Sequence, residues 1–360
     1  MTRPESIALR HLPNGNATGV SGPSAECGGS PERLAAPGRI TGILEAILVT
    51  PTTHLRPFPR RPITTRPLRH GVEALGAYAG WFLFAALPLD WASALGGWLA
   101  RSVGRHLRVN DMARRNLRRS FPEMSEEDLA LTLTEVWDNL GRVVGEFPHL
   151  KEIVAQRLEI IGAEHVEAMR VDGKPGILIA AHFGGWELSG PIAQHLGLPV
   201  HVIYRAANNP WVENLYRKGR GVAAESFIAK GSKGARQALD VLKRGGHLGM
   251  LVDQKMNDGI AVPFMGRDAM TAPAVASFAL KFRCPVVAGR IERLPGARFR
   301  VTFEPPLTLP ETDDRVRATH EIMATINQMI EGWVRERPGQ WLWLHQRWPK
   351  DSGVQGPQVQ

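Results

Sequence analysis

Beyond Gln156 the chain alternates short apolar runs, rich in β-branched residues, with amphipathic stretches of helical period, an order that few folds accommodate. The apolar runs are Gly176 to Ala181, Leu198 to Tyr204, Glu225 to Ala229, His247 to Val252, Pro285 to Leu294 and Phe299 to Phe303. Helical stretches separate them at Trp186 to His195, Pro210 to Gly219, Lys233 to Arg244 and Ala272 to Phe282, and Arg315 to Glu336 closes the series. Strands separated by helices predict an α/β fold with a mainly parallel sheet flanked by helices. Pro295-Gly296 marks a turn, so the last two runs are expected to pair as an antiparallel hairpin at one end of that sheet.

The preceding part is organised differently. Residues 1–70 are dominated by Pro, Gly, Thr and Arg without an apolar period, which predicts a mostly disordered basic extension. Its Arg56, Arg60, Arg61, Arg66 and Arg69 suit contact with anionic lipid. Ile43 to Val49 is too short for the core of a signal peptide, and Pro51 ends it. From Ala74 to Leu89 there is no charge, and a second apolar stretch, Trp91 to Ala100, follows Asp90 after a break at Pro88. Each is shorter than the ~20 apolar residues that span a bilayer. Trp81, Trp91 and Trp98 are of the type favoured at the headgroup level, and Arg66, Arg69 and His70 on one side and Arg101, Arg105, His106 and Arg108 on the other flank the segment. A membrane-associated helical region over 71–150 is therefore expected, lying at the cytoplasmic face, with a tilted span and an ordinary core helix as alternatives. Ser125 and Asp128 predict a capped helix start, running to about Glu146 and stopped by Pro148. The α/β domain is expected over 151–349 and a flexible tail over 350–360.

Lys and Arg number 44 against 35 Asp and Glu, a formal charge of +9 that suits an anionic partner. Nucleic acid, anionic lipid and an acidic carrier protein share that property. Zinc-finger spacing, RNP-like aromatic stretches and a confined recognition helix are missing from the sequence, which argues against nucleic acid. Cys27 and Cys284 lie far apart in unlike surroundings, so neither a disulfide framework nor a cysteine metal cluster is expected.

The sharpest local signal is Ala180-Ala181-His182-Phe183-Gly184-Gly185-Trp186-Glu187. An apolar strand ends on a histidine, two glycines turn the chain, and a carboxylate opens the next helix. On one continuous helix His182 and Glu187 would sit ~140° apart and out of reach. Across a Gly-Gly turn the carboxylate is free to fold back, fix the ring's tautomer and stabilise imidazolium, which is general-base apparatus for activating a hydroxyl. Two other strands end in polar groups, Tyr204-Arg205 and Asp253-Gln254. Ligands of open α/β sheets bind outside the carboxyl ends of the strands, so His182 and Glu187 are expected to be catalytic and Arg205, Asp253 and Gln254 to bind substrate. A metal site is not expected, since no third ligand stands at a familiar spacing.

The His-x4-acid spacing of His182 and Glu187 resembles the motif of the glycerolipid and lysophospholipid acyltransferase superfamily. The surrounding Ala-His-Phe-Gly-Gly-Trp-Glu resembles its lipid A late acyltransferase branch, as do Tyr204-Arg205 with Asn209-Pro210, Asp253-Gln254 and Trp343-Leu344-His345-Gln346-Arg347-Trp348. Asn116-Leu117 leading to Phe121-Pro122-Glu123 is similar to that branch as well. The resemblance spans roughly Gly71 to Pro349. It implies transfer of a fatty acyl chain from acyl carrier protein to a hydroxyl of a Kdo-bearing, phosphorylated lipid A precursor at the inner membrane, without metal or cofactor. By position it implies His182 as base, Glu187 as its partner and Arg205 as a phosphate or oxyanion contact. The Phe-Pro-Glu-Gly-Thr-Arg block of the phospholipid members is replaced by Val252-Asp253-Gln254, and the head before Gly71 is unlike the family pattern. A same-branch enzyme acting on a mannosylated phosphatidylinositol or an ornithine lipid is the alternative, and a basic nucleic-acid-binding protein the alternative from another class.

Overall fold

A computed structural model describes residues 66–220 and 226–349. The extension up to residue 65, with Arg56, Arg60 and Arg61, lies outside the described residues, as do Cys27, Glu225 and the tail from residue 350. Helix α1 (Arg66–Ala86) begins within the stretch expected to be disordered, and α2 (Leu89–Gly104) follows after the break at Pro88. Next come α3 (Arg108–Ser120) and α4 (Glu126–Glu146). Ser125 caps α4 by accepting the Asp128 N–H at 3.0 Å, and Pro148 falls in a short 3-10 turn that ends it. Helices α2 and α4 cross closely enough for backbones to touch, and a Cβ at Gly141 would stand 2.1 Å from the Gly96 carbonyl oxygen. Among the described residues no helix is long and apolar enough to cross a membrane.

The rest alternates as the sequence predicts. After α5 (Leu150–Gln156) come β1 (Leu158–Ile161), α6 (Ala163–Val171), β2 (Gly176–Ala180), α7 (Ser189–His195), β3 (Val200–Tyr204) and α8 (Pro210–Arg220). They are followed by β4 (Ser226–Ala229), α9 (Ser232–Lys243), β5 (His247–Leu251), β6 (Lys255–Phe264), β7 (Arg267–Thr271), α10 (Ala274–Phe282), β8 (Val286–Leu294), β9 (Arg298–Phe303) and α11 (Arg315–Glu336). Seven strands form one sheet in the order β1-β9-β8-β2-β5-β3-β4, and β6 and β7 make a separate hairpin. Only β8 and β9 run antiparallel within the sheet, joined at the Pro295-Gly296 turn, so the sheet is mainly parallel as expected.

Each face of the sheet carries its own core, which is why the strands read as continuous apolar runs. One core joins Ile177, Ile179, Leu248 and Val286 to α9, α10 and α11, with Leu117 of α3 and Leu133 of α4. The other joins Leu178, Val200, Val287, Ile291, Val301 and Phe303 to Leu188 and to Ile192 of α7. The helical region is tied to the sheet by a buried ion pair. Arg293 of β8 grips Glu146 of α4, Nη2 to Oε2 at 2.8 Å, and its Nε donates to Asn139 Oδ1 at 2.7 Å.

Candidate active site

Parallel strands put their carboxyl ends at one edge of the sheet, and three of those ends, from β2, β5 and β3, are neighbours. His182 follows β2, Gln254 follows β5 and Arg205 follows β3, and these three meet in one cleft, whereas Asp253, expected to bind substrate, is buried behind His182 and does not line it. A cavity of about 290 Å³ opens there, lined by His182, Glu187, Arg205 and Gln254 at its polar end. Leu178, Ala180, Val202, Gly249, Val301 and Phe303 form its apolar wall, and Pro191 and Ile192 of α7 close it from the other side.

The ring of His182 is held by Asp253, not by Glu187. His182 Nδ1 donates to Asp253 Oδ1 at 2.7 Å, and the His182 main-chain N–H donates to Oδ2 at 2.9 Å. Trp341 Nε1–H donates to the same Oδ2 at 2.8 Å. A carboxylate only accepts, so the proton belongs on Nδ1 and the Nε2 lone pair is left toward the cavity, 3.3 Å from the Gln254 amide nitrogen. Burial alone would push the Asp253 carboxyl up. The charge of His182 beside it, their hydrogen bond and the nearby His345 instead hold it well below the ordinary carboxylate range.

Glu187 stands in a 3-10 turn (Trp186–Leu188) at the start of the expected helix, and its carboxylate is taken by Arg220. Nε of the arginine reaches Oε2 at 2.7 Å and Nη2 reaches Oε1 at 2.5 Å. The expected fold-back of Glu187 onto the ring is thus corrected: no hydrogen bond joins it to His182. Physically, β5 lies directly beside β2, so the residue past the end of β5 arrives at the imidazole laterally, and the ladder continues to it through the Val252 N–H to Ala180 oxygen bond at 3.1 Å. Burial would lower the Arg220 guanidinium, but Glu187 outweighs it and the cation is raised.

The turn that carries His182 is clamped from behind by the C-terminal segment. Leu342 N–H donates to His182 O at 3.0 Å and Gly184 N–H to Gln340 O at 2.9 Å. Gly184 adopts φ +52°, and a Cβ there would lie 2.0 Å from the Ile291 oxygen, so the turn admits only glycine. Arg220 and Lys230 also line the cavity and were missed in the sequence. Lys230 had a signal, since it follows β4 as Arg205 follows β3. Arg220, at the end of a basic helix, had none. Arg205 and Lys230 have no ion-pair partner among the described residues, which leaves cations at the mouth for an anionic ligand. Cys284 does not line the cavity, and burial pushes its thiol up to about 11. No group of His, Cys, Asp or Glu able to hold a metal occurs among the described residues.

A histidine–aspartate pair whose second ring nitrogen faces a largely apolar cavity is an arrangement able to take a proton from a bound hydroxyl. A family model for bacterial lipid A biosynthesis acyltransferases matches residues 61–350, and the chain belongs to that family and is an acyltransferase. The lipid A biosynthesis lauroyltransferase of Escherichia coli (strain K12) is 26% identical over 292 residues, covering 78% of this chain and 92% of that protein. The lipid A biosynthesis palmitoleoyltransferase of the same organism is 24% identical over 281 residues, covering 74% and 87%. A lipid A biosynthesis acyltransferase of Haemophilus influenzae (strain ATCC 51907 / DSM 11121 / KW20 / Rd) is 25% identical over 273 residues, covering 73% and 83%.

Proposed function

We propose that this enzyme moves a fatty acyl chain from acyl carrier protein to a hydroxyl of a Kdo-bearing lipid A precursor at the cytoplasmic face of the inner membrane. The observation that carries the reading is the His182–Asp253 pair at the polar end of an apolar cavity, because a base and a hydrocarbon-sized slot meet there. His182 Nε2 accepts the proton of the acceptor hydroxyl as its oxygen attacks the thioester carbonyl. Asp253 stabilises the imidazolium, the tetrahedral intermediate collapses with loss of the carrier thiolate, and the proton returns to that sulfur. Arg205 and Lys230, together with Arg220 held in place by Glu187, supply positive charge for the precursor's phosphates and the developing oxyanion. Glu187 then acts through Arg220.

Membrane association is supported by the helical region. Leu75 and Phe82 of α1 are 72% and 65% exposed, and Trp91 and Trp98 of α2 are 71% and 55% exposed. So many large apolar groups on adjacent helices suit the interfacial zone of a bilayer, with the basic surplus favouring anionic headgroups. The test is mass spectrometry of lipid A from cells carrying the wild-type chain or His182→Ala, together with turnover of both purified proteins on an acyl carrier protein donor. Loss of one acyl chain from lipid A and a fall of about 10²–10⁴ in turnover is the expected result. Unchanged lipid A mass in the absence of the protein refutes the reading.

A further inference from the structure

The apolar part of the cavity is shaped by the sheet face that carries Leu178, Ala180, Val200, Val202 and Gly249. Side chains on a strand alternate, and the register sets Gly249 of central strand β5 directly between Leu178 of β2 and Val202 of β3. A glycine in a strand interior weakens the strand and marks a bend, a bulge or a close approach. None of the three applies. The pairing of β5 is regular on both sides, and Gly249 is outside the left-handed region. A Cβ there would meet nothing nearer than Val202 Cγ2 at 3.5 Å and Val200 Cγ2 at 3.6 Å, ordinary contact distances. At Gly289, on the neighbouring row, a Cβ would already press on the Phe303 ring at 3.1 Å. Gly249 also keeps partial exposure although β5 has a strand on either side and a helical layer on each face. The surrounding protein therefore has room for a side chain at 249, and its absence widens the cavity that Gly249 lines.

We infer that Gly249 sets the length of acyl chain that the enzyme accepts, an inference that rests on the acyl-transfer reading above. Its depth below the base follows from the sheet. Leu178, the neighbour of Gly249, precedes His182 by four residues, and at ~3.3 Å per residue the two levels are roughly 13 Å apart. An extended hydrocarbon advances roughly 1.3 Å per carbon given its bond length, so a chain held with its carbonyl at His182 passes Gly249 at about its tenth carbon. Shorter chains stop above that level, and longer ones use the space the glycine leaves.

The test compares full-length wild type, Gly249→Ala and Gly249→Leu on a ladder of saturated acyl carrier protein donors from octanoyl to palmitoyl, with the same lipid A precursor. Gly249→Leu is expected to lower kcat/KM for dodecanoyl and longer donors, relative to octanoyl in the same variant, by on the order of tenfold or more, since several methylenes forfeit their buried contact. Gly249→Ala, which fits without displacing any neighbour, shifts the preference in the same direction by a smaller factor and keeps the test alive should the leucine variant fail to fold. An unchanged chain-length profile in both variants, or a uniform loss across the ladder in a folded one, overturns the inference. Absence of transfer from every donor by the wild-type chain overturns the acyl-transfer reading itself.

Discussion

Asp253→Asn separates the partner that the structure assigns to His182 from the one that the sequence suggested. The side chain is buried, 1% exposed, and its two oxygens accept three N–H groups, from the His182 ring, the His182 main chain and Trp341. Asparagine keeps the shape but has one acceptor oxygen and a donor amide. If that oxygen faces the ring, the amide meets the main-chain N–H and the Trp341 N–H, and buried donors left unsatisfied cost ~1–3 kcal/mol each. If the amide faces the ring, both N–H groups keep their acceptor, but Nδ1 must then be unprotonated. The second arrangement wastes fewer hydrogen bonds and is the one expected. It moves the proton to Nε2, so the lone pair that should take the hydroxyl proton is lost along with the charge that stabilises imidazolium. A buried aspartate behind a catalytic histidine, when changed in this way elsewhere, costs about 10⁴ in kcat, or ~5 kcal/mol of barrier. Turnover of purified protein on an acyl carrier protein donor should fall by 10³-fold or more, on the order set by tautomer loss, with KM little changed and the fold intact by circular dichroism. Trp341→Phe, which removes one of the three donors, should lose about tenfold, the worth of one charge-assisted hydrogen bond. Glu187→Gln should fall between wild type and Asp253→Asn, because it meets the ring only through Arg220. An Asp253→Asn enzyme within tenfold of wild type, or a Glu187→Gln enzyme slower than it, refutes this assignment.

Replacing Phe82, Trp91 and Trp98 together by serine removes exposed apolar groups of α1 and α2, and sedimentation with anionic vesicles should weaken by tenfold or more, on the scale of aromatic burial. Undiminished vesicle binding would place the membrane contact elsewhere on the chain. Stability should fall on acidification from two sides. Burial lowers the His345 and His247 imidazoles, so below the ordinary value of ~6.5 the unfolded chain takes up protons that the fold resists. Asp253 is held low, so its contribution is complete above the ordinary value of ~3.9 and is lost as pH falls toward the folded one. A melting temperature at pH 5 equal to or above that at pH 7.5 would contradict this sign.

The strands that the sequence revealed are apolar runs, continuous and buried along the whole of β2 and most of β8, partly exposed in β3 and β4, and alternating in β9. The strands it hid lack that property. Strand β1 is four residues long with Ile161 half exposed, and β6 carries Asn257, Asp258, Gly259 and Pro263, residues depleted from strands, with a register shift between Lys255 and Ile260. Its hairpin is held from outside, by α11, where Asn327 donates to the Pro263 oxygen at 3.0 Å. No local pattern announces such support.

The site divides along the same line. That polar residues at strand ends would converge was legible, because it depends only on strands being parallel, and His182, Arg205 and Gln254 share the cleft for that reason, with Asp253 buried behind the ring. Which of them touch depends on strand order, and sequence distance misleads there: Glu187 is five residues from His182 and Asp253 is 71 away, yet β5 inserts beside β2 and wins the contact. The closing aromatic segment makes the same point. Trp341, Trp343 and Trp348 are all buried, and each buried indole needs an acceptor for its N–H. For Trp343 that acceptor is the Pro338 oxygen at 2.8 Å and for Trp348 the Phe264 oxygen at 3.2 Å, which leaves both as packing groups. Trp341 finds instead the Asp253 carboxylate that holds the His182 ring. That contact is conferred by the strand that happens to end beneath it, and a tryptophan of like burial two residues along has none.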